Sequence, residues 1–279
     1  IGGDFHFSYL HSNGKLKAVG ELRNESIFSN VLGEMLNKEI PVTGFQNVFY
    51  SKGASRLVST LFADYSYYLK TFSVSAGMQL VGSNSFGLSW NYGVDISTYL
   101  WRNFKTYISF NMATRYPTFT DLYYSGPTNI GNPNLTPEGA KTIEMGIKKQ
   151  AENYRFSASL FHRKGANIID WVKYPFDEKW TTTNYTSLIT NGFEASLNIN
   201  VNNKIPLVNN LFVSYSFINS EKDEDQLLSY YTMDYIKNKI SGGVKHKIFK
   251  NLNASWLILW QDRAGTYTDF VTSSEKSYS

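Results

Sequence analysis

Residues 87–100 alternate between apolar and polar side chains, and this alternation constrains the fold more than any other feature of the sequence. One set comprises Leu88, Trp90, Tyr92, Val94, Ile96, Thr98 and Leu100. The other set comprises Gly87, Ser89, Asn91, Gly93, Asp95, Ser97 and Tyr99. Successive side chains of a β-strand point to opposite faces, whereas a helical period of 3.6 would mix the two sets. The segment is therefore predicted to be a strand.

The same alternation recurs along the chain and predicts about twelve strands. They lie near 3–10, 15–28, 56–69, 71–81, 86–100, 104–115, 138–149, 154–170, 182–202, 207–220, 232–248 and 251–265. Many of these are roughly ten residues or longer, whereas strands of soluble proteins average about 5–6 residues. Strands of about 9–11 residues are the length that crosses a bilayer with a tilt.

The lengths of the connections separate two folds that alternation alone does not distinguish. A soluble sandwich would turn the apolar faces into a core, and a membrane barrel would turn them towards lipid. Short connections lie near 11–15, 68–71, 101–105, 150–154, 202–206 and 249–253, and longer ones lie near 29–55, 116–137, 170–181 and 221–231, with 82–85 as a short exception. Tight turns at one end and long loops at the other are typical of outer-membrane barrels. The sequence thus favours an all-β, antiparallel transmembrane β-barrel.

Charged and aromatic residues fit the same interpretation. A Lys or Arg that faces lipid near the midplane costs about 2–4 kcal/mol. The cations lie instead at turns or on polar faces, namely Lys70, Arg102, Lys105, Lys204, Lys250, Arg155 and Arg163. Aromatic residues near strand ends are expected in the girdles at the membrane interfaces, with ordinary core packing as the alternative. These candidates are Trp101, Trp171, Trp180 and Trp260.

Composition excludes several other classes of protein. The chain of 279 residues has no Cys, so disulfides and thiolate metal sites are excluded. A net charge of +4 with scattered Lys and Arg argues against a nucleic-acid partner. The sequence has no apolar run long enough for a transmembrane helix, and no signal peptide is expected within it. We expect the chain to be a piece of a longer barrel, since lipid does not tolerate open sheet edges.

No catalytic, metal-binding or cofactor-binding constellation is predicted, so an enzyme is not expected. The four His residues are far apart in the sequence, and no Gly-x-Ser-x-Gly motif is present. The acidic segment 221–225 lacks the Gly and the distal Glu of a calcium loop, so we interpret it as a solvated loop tip. An outer-membrane phospholipase or protease would require a Ser/His or Asp/His pair at the outer rim.

The segment 114–148, TRYPTFTDLYYSGPTNIGNPNLTPEGAKTIEMGIK, resembles the TonB-dependent outer-membrane receptors. The residues that carry the motif are Arg115, Pro117, Thr118, Asp121, Leu122, Tyr123, Gly131, Asn132, Pro133, Asn134, Leu135, Pro137, Glu138, Glu144 and Gly146. Residues 156–172 and 191–201 continue the resemblance, which is nearest to the vitamin B12 (cobalamin) and siderophore receptors. We interpret the Gly131–Pro137 core as structural, with Gly131 permitting an unusual φ and the prolines fixing theirs.

The resemblance implies a function in transport. Such receptors form a 22-stranded barrel that is filled by a plug domain. They import a scarce ligand (cobalamin, a siderophore or haem) with energy from the TonB complex of the inner membrane. Residues 1–279 would then form one partial barrel in the bacterial outer membrane, in contact with its lipid and without the plug. A passive porin or an adhesin-type barrel is the alternative.

A ligand site, if present, is expected on aromatic residues of the long loops, because loops on a rigid scaffold usually carry recognition. The candidates are Tyr116, Phe119, Tyr123, Tyr124, Asn129, Tyr174 and Trp180, with Asn132 and Asn134 as further hydrogen-bonding groups. Placement of Tyr123 and Tyr124 in the aromatic girdle is the alternative.

Overall fold

The computed structural model describes residues 1–100, 104–173, 176–201, 207–222, 228–229, 235–249, 251–268 and 274–277. The twelve long strands are β1 (Gly2–His11), β2 (Gly14–Ser29), β4 (Phe49–Tyr68), β5 (Phe72–Ser83), β6 (Gly87–Tyr99), β7 (Lys105–Arg115), β9 (Glu138–Gln150), β10 (Tyr154–Lys173), β11 (Trp180–Asn200), β12 (Val208–Lys222), β14 (Ile236–Phe249) and β15 (Leu252–Arg263). The short elements are β3 (Glu34–Pro41), α1 (Phe119–Tyr123), β8 (Asn129–Ile130), β13 (Leu228–Ser229), β16 (Thr266–Thr268) and β17 (Glu275–Ser277).

The long strands form one antiparallel meander in which each pairs with the next along the chain. Each of the twelve predicted strands has a counterpart in it, so the prediction of an all-β antiparallel sheet is confirmed. Three short strands attach to the sides, with β3 on β4, β8 on β11 and β13 on β10. The sheet is open, because within the described residues β1 pairs only with β2, and β15 only with β14.

Two connections contain structure that the sequence pattern did not predict. Residues 29–55 were expected to form one long loop, but they hold β3 and the beginning of β4. Pairing of Glu34 with Gly53 and of Pro41 with Phe49 forms this extension, although β3 itself alternates poorly. The connection 116–137 contains the helical turn α1. Among the described residues, no helix has the length and hydropathy to span a membrane.

The exposure of the two faces of the sheet is the reverse of that in a soluble protein. The apolar face, which carries the alternating hydrophobic side chains, is open, with Leu61 62%, Trp90 55% and Leu160 54% exposed. The polar face is the more covered, with Asn91 only 5% and Ser83 9% exposed. Large contiguous apolar surface on one side of a sheet marks contact with a membrane or with another protein.

The two ends of the sheet also differ. At the turn rim, the described connections are as short as residues 12–13, 69–71 and 151–153. At the loop rim, residues 116–137 join β7 to β9, and three strands rise above their neighbours. These are β4 and β10, with 20 residues each, and β11 with 21, whereas β5 has 12. The long strands thus provide a support for the loops at this end.

Most of the buried apolar side chains among the described residues lie at the loop rim. Leu122 and Leu135 are 5% and 4% exposed, and they share this end with Trp171 and Val172. The prediction that Trp171 belongs to an interfacial girdle is therefore wrong, because Trp171 is only 9% exposed. Trp260 does lie exposed on the apolar face. Trp101 lies outside the described residues.

Candidate functional site

The segment 116–137, here called the rim loop, begins with a capped helical turn. Thr118 is the N-cap of α1, and its hydroxyl accepts a hydrogen bond from the Asp121 amide at 3.1 Å. The Asp121 carboxylate in turn accepts a bond from the Thr118 amide at 2.9 Å. This reciprocal capping box satisfies two amides that a five-residue helix would otherwise leave without partners. Pro117 immediately before it is fully buried.

The rest of the rim loop folds back over α1. The Gly131 amide donates to the Tyr124 carbonyl at 2.7 Å, and the Asn132 amide donates to the Asp121 carbonyl at 2.9 Å. The Thr182 hydroxyl of β11 donates to the same Asp121 carbonyl at 2.7 Å. One carbonyl therefore joins the helical turn, the returning chain and the barrel strand.

Gly131 is needed for a reason other than the predicted one. Its φ does not lie in the positive region, which holds Gly33, Gly44, Gly87 and Gly265. A Cβ at position 131 would instead lie 2.8 Å from the Asp121 carbonyl oxygen and 2.9 Å from the Leu122 carbonyl carbon. The expectation of an unusual φ is thus wrong, and the absence of a side chain permits the close approach of two backbone segments.

Arg115 and Glu138 join the two ends of the rim loop. The Arg115 guanidinium donates to both carboxylate oxygens of Glu138, at 2.5 and 2.7 Å, in the bidentate geometry that gives strong ion pairs. Its Nη1 also lies 3.8 Å from the Asp121 carboxylate. Glu138 Oε1 further accepts a bond from the Ile169 amide of β10 at 2.6 Å. The loop is thereby fastened to the neighbouring strand.

Asn184 of β11 holds the descending part of the rim loop as a backbone strand would. Its side-chain carbonyl accepts from the Thr136 amide at 2.8 Å, and its amide group donates to the Thr136 carbonyl at 2.9 Å. The same amide group donates to the Asn167 carbonyl at 2.8 Å. Asn167 adopts a positive φ of 53°, which Asn tolerates better than most residues.

Glu144 and Gly146, the last two motif residues, both contact Tyr107. The Tyr107 hydroxyl donates to the Glu144 carboxylate. Gly146 lies directly opposite Tyr107 in the register, and a Cβ there would lie 2.6 Å from the phenol ring. The Glu-x-Gly pattern thus allows an aromatic ring to lie flat across the polar face.

Three of the predicted ligand-binding residues meet in one aromatic cluster around Arg56. The Arg56 guanidinium carbon lies 5.0 Å from the Phe119 ring centroid and 6.0 Å from that of Tyr116. Tyr116 also stacks on Phe86 at 5.2 Å, and Phe119 stacks on Tyr123 at 6.5 Å. Cations over aromatic faces at these distances attract the ring quadrupole. The cluster therefore has a stable arrangement at the loop rim.

Arg56 itself is a positioning residue of this cluster. Its side chain is only 10% exposed, and its Nε donates to Glu25 at 2.5 Å. Its Nη1 donates to the Pro117 carbonyl at 2.5 Å. The charge is thus compensated and turned towards the protein, which leaves the half-buried rings of Tyr116, Phe119 and Tyr123 as the accessible part of the cluster.

The phenol of Tyr123 remains a hydrogen-bond donor at neutral pH. Burial raises its pKa above the ordinary value, and the negative charge of Glu34 raises it further, whereas Arg56 acts in the opposite direction. The hydroxyl of Tyr116, by contrast, is engaged with the Val81 carbonyl at 3.1 Å.

The other predicted ligand-binding residues lie apart from this cluster. Tyr124 packs edge-on against Trp171 at 6.2 Å. Asn129 of β8 pairs with Trp180 of β11, whose amide donates to the Thr128 carbonyl at 2.9 Å. These residues fasten the rim loop to the strands. Tyr174 lies outside the described residues.

Sequence reasoning missed Arg56, Phe86 and the part that Asn184 plays in holding the loop. Arg56 and Pro117 are 61 positions apart, and Asn184 and Thr136 are 48 apart. No local pattern signals such pairings. In the described part of the chain, no group of three or more His, Cys, Asp or Glu residues is arranged to hold a metal ion. Residues 223–225 of the acidic segment lie outside that part.

Comparison with known proteins gives one relative in sequence and several in structure. The chain is 31% identical over 110 residues to the vitamin B12 transporter BtuB of Vibrio vulnificus, a match over 38% of this chain and 16% of that protein. The siderophore receptor PirA of Pseudomonas aeruginosa matches 95% of this chain with a TM-score of 0.68 at 14% identity. The iron transporter FrpB of Neisseria meningitidis matches 99% with a TM-score of 0.65 at 12% identity.

The solved structures extend well beyond this chain, which covers 46% of PirA and 45% of FrpB. At this level of identity they establish the fold alone. The model of the family described as TonB dependent receptor-like, beta-barrel matches residues 4–279. Because the match includes the meander, the rim loop and its motif, the chain belongs to the TonB-dependent receptor-like β-barrel family.

Proposed function

We propose that the chain forms part of the barrel wall of an outer-membrane receptor that binds a scarce ligand and imports it with energy from the TonB complex. The match of residues 4–279 to the family model carries this proposal. The exposed apolar face supports the membrane setting, since a soluble sandwich would bury Leu61 and Leu160. The names of the similar proteins, a vitamin B12 transporter and siderophore receptors, support a ligand of the cobalamin or siderophore class, with haem as a third candidate.

We place the ligand contact at the aromatic cluster. Tyr116, Phe119 and Tyr123 offer ring faces at the loop rim, and the Tyr123 phenol offers a donor that bonds to no other described residue. Flat ring faces beside a single donor suit a large ligand with planar unsaturated groups and peripheral oxygen atoms. The predicted contacts from Tyr124, Asn129 and Trp180 then act indirectly, by holding the loop.

Binding assays on the intact protein test this proposal. Cobalamin, a ferric catecholate siderophore and haem would each be titrated against the detergent-purified receptor. The double variant Phe119→Ala/Tyr123→Ala is expected to weaken the preferred ligand about tenfold to a hundredfold, since stacked aromatic contacts contribute about 0.5–1.5 kcal/mol each beyond area burial. Tyr68→Ala, an exposed tyrosine at the turn rim, is the matched control. Unchanged affinity in the double variant would refute the site.

The alternative of a passive porin or adhesin-type barrel makes a different prediction for transport. Import by a TonB-dependent receptor stops when the inner membrane is de-energised or TonB is deleted. Diffusion through a porin continues under both conditions. Uptake of the bound ligand into cells with and without TonB therefore decides between the two functions.

A further inference from the structure

At two places in the sheet, a lysine lies directly opposite another lysine on the neighbouring strand. Lys105 faces Lys148 on the polar face near the turn rim, and Lys141 faces Lys164 on the apolar face. Directly opposed residues in an antiparallel pair have Cα atoms about 4.5–5.5 Å apart. Like charges in this position destabilise the sheet. Each pair therefore requires a compensating anion or full hydration.

Within the described residues, no protein anion compensates the pair on the apolar face, and its directly opposed outer neighbours are apolar. Lys141 and Lys164 are exposed, and neither forms an ion pair within the described part of the chain. Their outer neighbours in the register are Met112 on β7 and Ile189 on β11. The Glu221 carboxylate on this face lies beyond Ile189 on β12 and accepts a bond from Asn219 at 3.1 Å.

The position of the pair along the barrel matches a membrane boundary. On β9, Ile143, Met145 and Ile147 separate Lys141 from Lys149 on the same face. The eight residue steps from Lys141 to Lys149 span about 20 Å along the barrel axis at the usual rise and tilt of barrel strands. The apolar band of such barrels is about 25 Å tall. Lys149 marks the boundary at the turn rim, where its Nζ lies 4.6 Å from the Phe104 ring centroid.

A second polar pair lies at the same boundary. His162, two residues before Lys164 on the same face, bonds through Nδ1 to the Asn191 side-chain carbonyl at 2.8 Å. A carbonyl oxygen only accepts, so Nδ1 must carry the hydrogen, and Nε2 is left for another partner. Leu160 and Phe193, the next opposed pair towards the turn rim, are apolar. The surface thus changes from hydrocarbon-like to polar within one step of the register.

We propose that Lys141 and Lys164 bind the phosphate group of an anionic lipid headgroup in the leaflet next to the loop rim. The proposal rests on the membrane setting given under Proposed function. Lysine stems can lie along Met112 and Ile189 while both ammonium groups reach the headgroup layer. A phosphate between the two ammonium groups converts their repulsion into two charge-assisted contacts. The apolar surface below the pair, including Leu160, then contacts the acyl chains, which a free anion does not have.

Native mass spectrometry of the intact protein in detergent, titrated with phosphatidic acid, tests the proposal. The double variant Lys141→Gln/Lys164→Gln is expected to lower the affinity about thirtyfold, since each lysine near a charged headgroup layer raises the affinity about fivefold. Lys105→Gln/Lys148→Gln, the opposed pair on the polar face, is the matched control and should leave affinity unchanged. Equal losses in both variants, or no loss in the first, would overturn the proposal.

Two further probes separate the lipid from other anions. Phosphatidylcholine, whose phosphate is screened by choline, should bind both the wild type and the Lys141→Gln/Lys164→Gln variant with the same low affinity. Inorganic phosphate at the concentrations used for phosphatidic acid should neither bind nor compete, and competition by it would show a free-anion site instead. Ligand import should persist in the variant, so a failure of the lipid site and a failure of the proposed transport function give different results.

Discussion

Leucine side chains are exposed in the barrel wall and buried in the rim loop. In the wall, formed by the twelve long strands, Leu61 and Leu160 are 62% and 54% exposed on the apolar face. In the rim loop, Leu122 and Leu135 are 5% and 4% exposed. The wall is held by its backbone ladder and needs an apolar solvent around it. The rim loop is held by a small core of the kind found in soluble proteins.

This difference predicts that one kind of substitution has opposite effects in the two regions. Removing apolar volume should damage the rim loop and be tolerated by the wall, because only the loop is close-packed on all sides. Adding a charge should damage the apolar face of the wall, because there it meets hydrocarbon. Four experiments, from the largest expected effect to the smallest, test the contrast.

Leu122→Ala should give the largest effect. Loss of a buried leucine side chain costs about 2–5 kcal/mol, and here the loss falls on the local stability of the rim loop. The amides of Gly131 and Asn132, which bond back to Tyr124 and Asp121, should then exchange with solvent faster by a factor of about 30 or more. Hydrogen exchange detected by mass spectrometry measures this. Leu160→Ala on the wall is the control, and equal acceleration at these amides in both variants would contradict the contrast.

Leu160→Arg should destabilise the wall by about 2–4 kcal/mol in lipid bilayers, the cost of a lipid-facing arginine near the midplane. The neighbouring Ser159→Arg places the same charge on the polar face, where the register sets it beside Glu194. Reversible unfolding by urea in lipid vesicles measures both. If the two variants were equally stable, the assignment of the apolar face to lipid would fail.

Asn184→Ala should weaken the rim loop by about 1–3 kcal/mol, because it leaves both backbone groups of Thr136 without their side-chain partner. Limited proteolysis of the intact protein should then cut within 131–138 at lower protease concentration than in the wild type. Asn198→Ala, on the polar face near the turn rim, should leave that susceptibility unchanged.

The phenol of Tyr123 gives the smallest effect, a shift in a titration. Its raised pKa means that the folded protein holds this proton above the pH at which an ordinary tyrosine loses it. Because both states hold this proton below about pH 10, the group leaves stability independent of pH there. Stability is then lost as the pH rises from that value through the folded pKa. Ultraviolet difference titration of the wild type against Tyr123→Phe should show one tyrosine that ionises late. A difference without a late-ionising component would contradict the prediction.

The sequence predicted the wall much better than the rim loop, for a physical reason. A period of two is local, so the alternation over 87–100 is visible without any knowledge of neighbouring strands. Strand β3 escaped prediction because it is held by pairing with the start of β4 rather than by its own pattern. The capping box of Thr118 and Asp121 was present in the motif, but the helical turn that it starts is too short to show a period.

The candidate site was predictable only in part. Tyr116, Phe119 and Tyr123 were found because they crowd one loop between two strands, and the structure brings them together. Arg56 of β4 and Phe86 of the turn between β5 and β6 complete the cluster, and neither carries a sequence signal. Tyr124 and Trp180 are also aromatic residues of this end, but Tyr124 packs against Trp171 of β10, and Trp180 of β11 pairs with β8. Residue type thus identifies the end of the barrel where the site lies. Only the fold distinguishes the residues that form the aromatic cluster from those that hold the rim loop in place.

The short connections of the turn rim have a consequence for how such a chain tolerates change. Each one sets the phase of the strand that follows, because inside and outside alternate with every residue. One residue inserted at 12–13 would therefore exchange the lipid-facing and lumen-facing sides of β2, the strand that follows. One residue inserted in 116–137 would leave the phase of β9 to its own pairing with β7 and β10. Insertions are thus expected to be tolerated in the rim loop and to be damaging in the short turns, which preserve the phase of the strands.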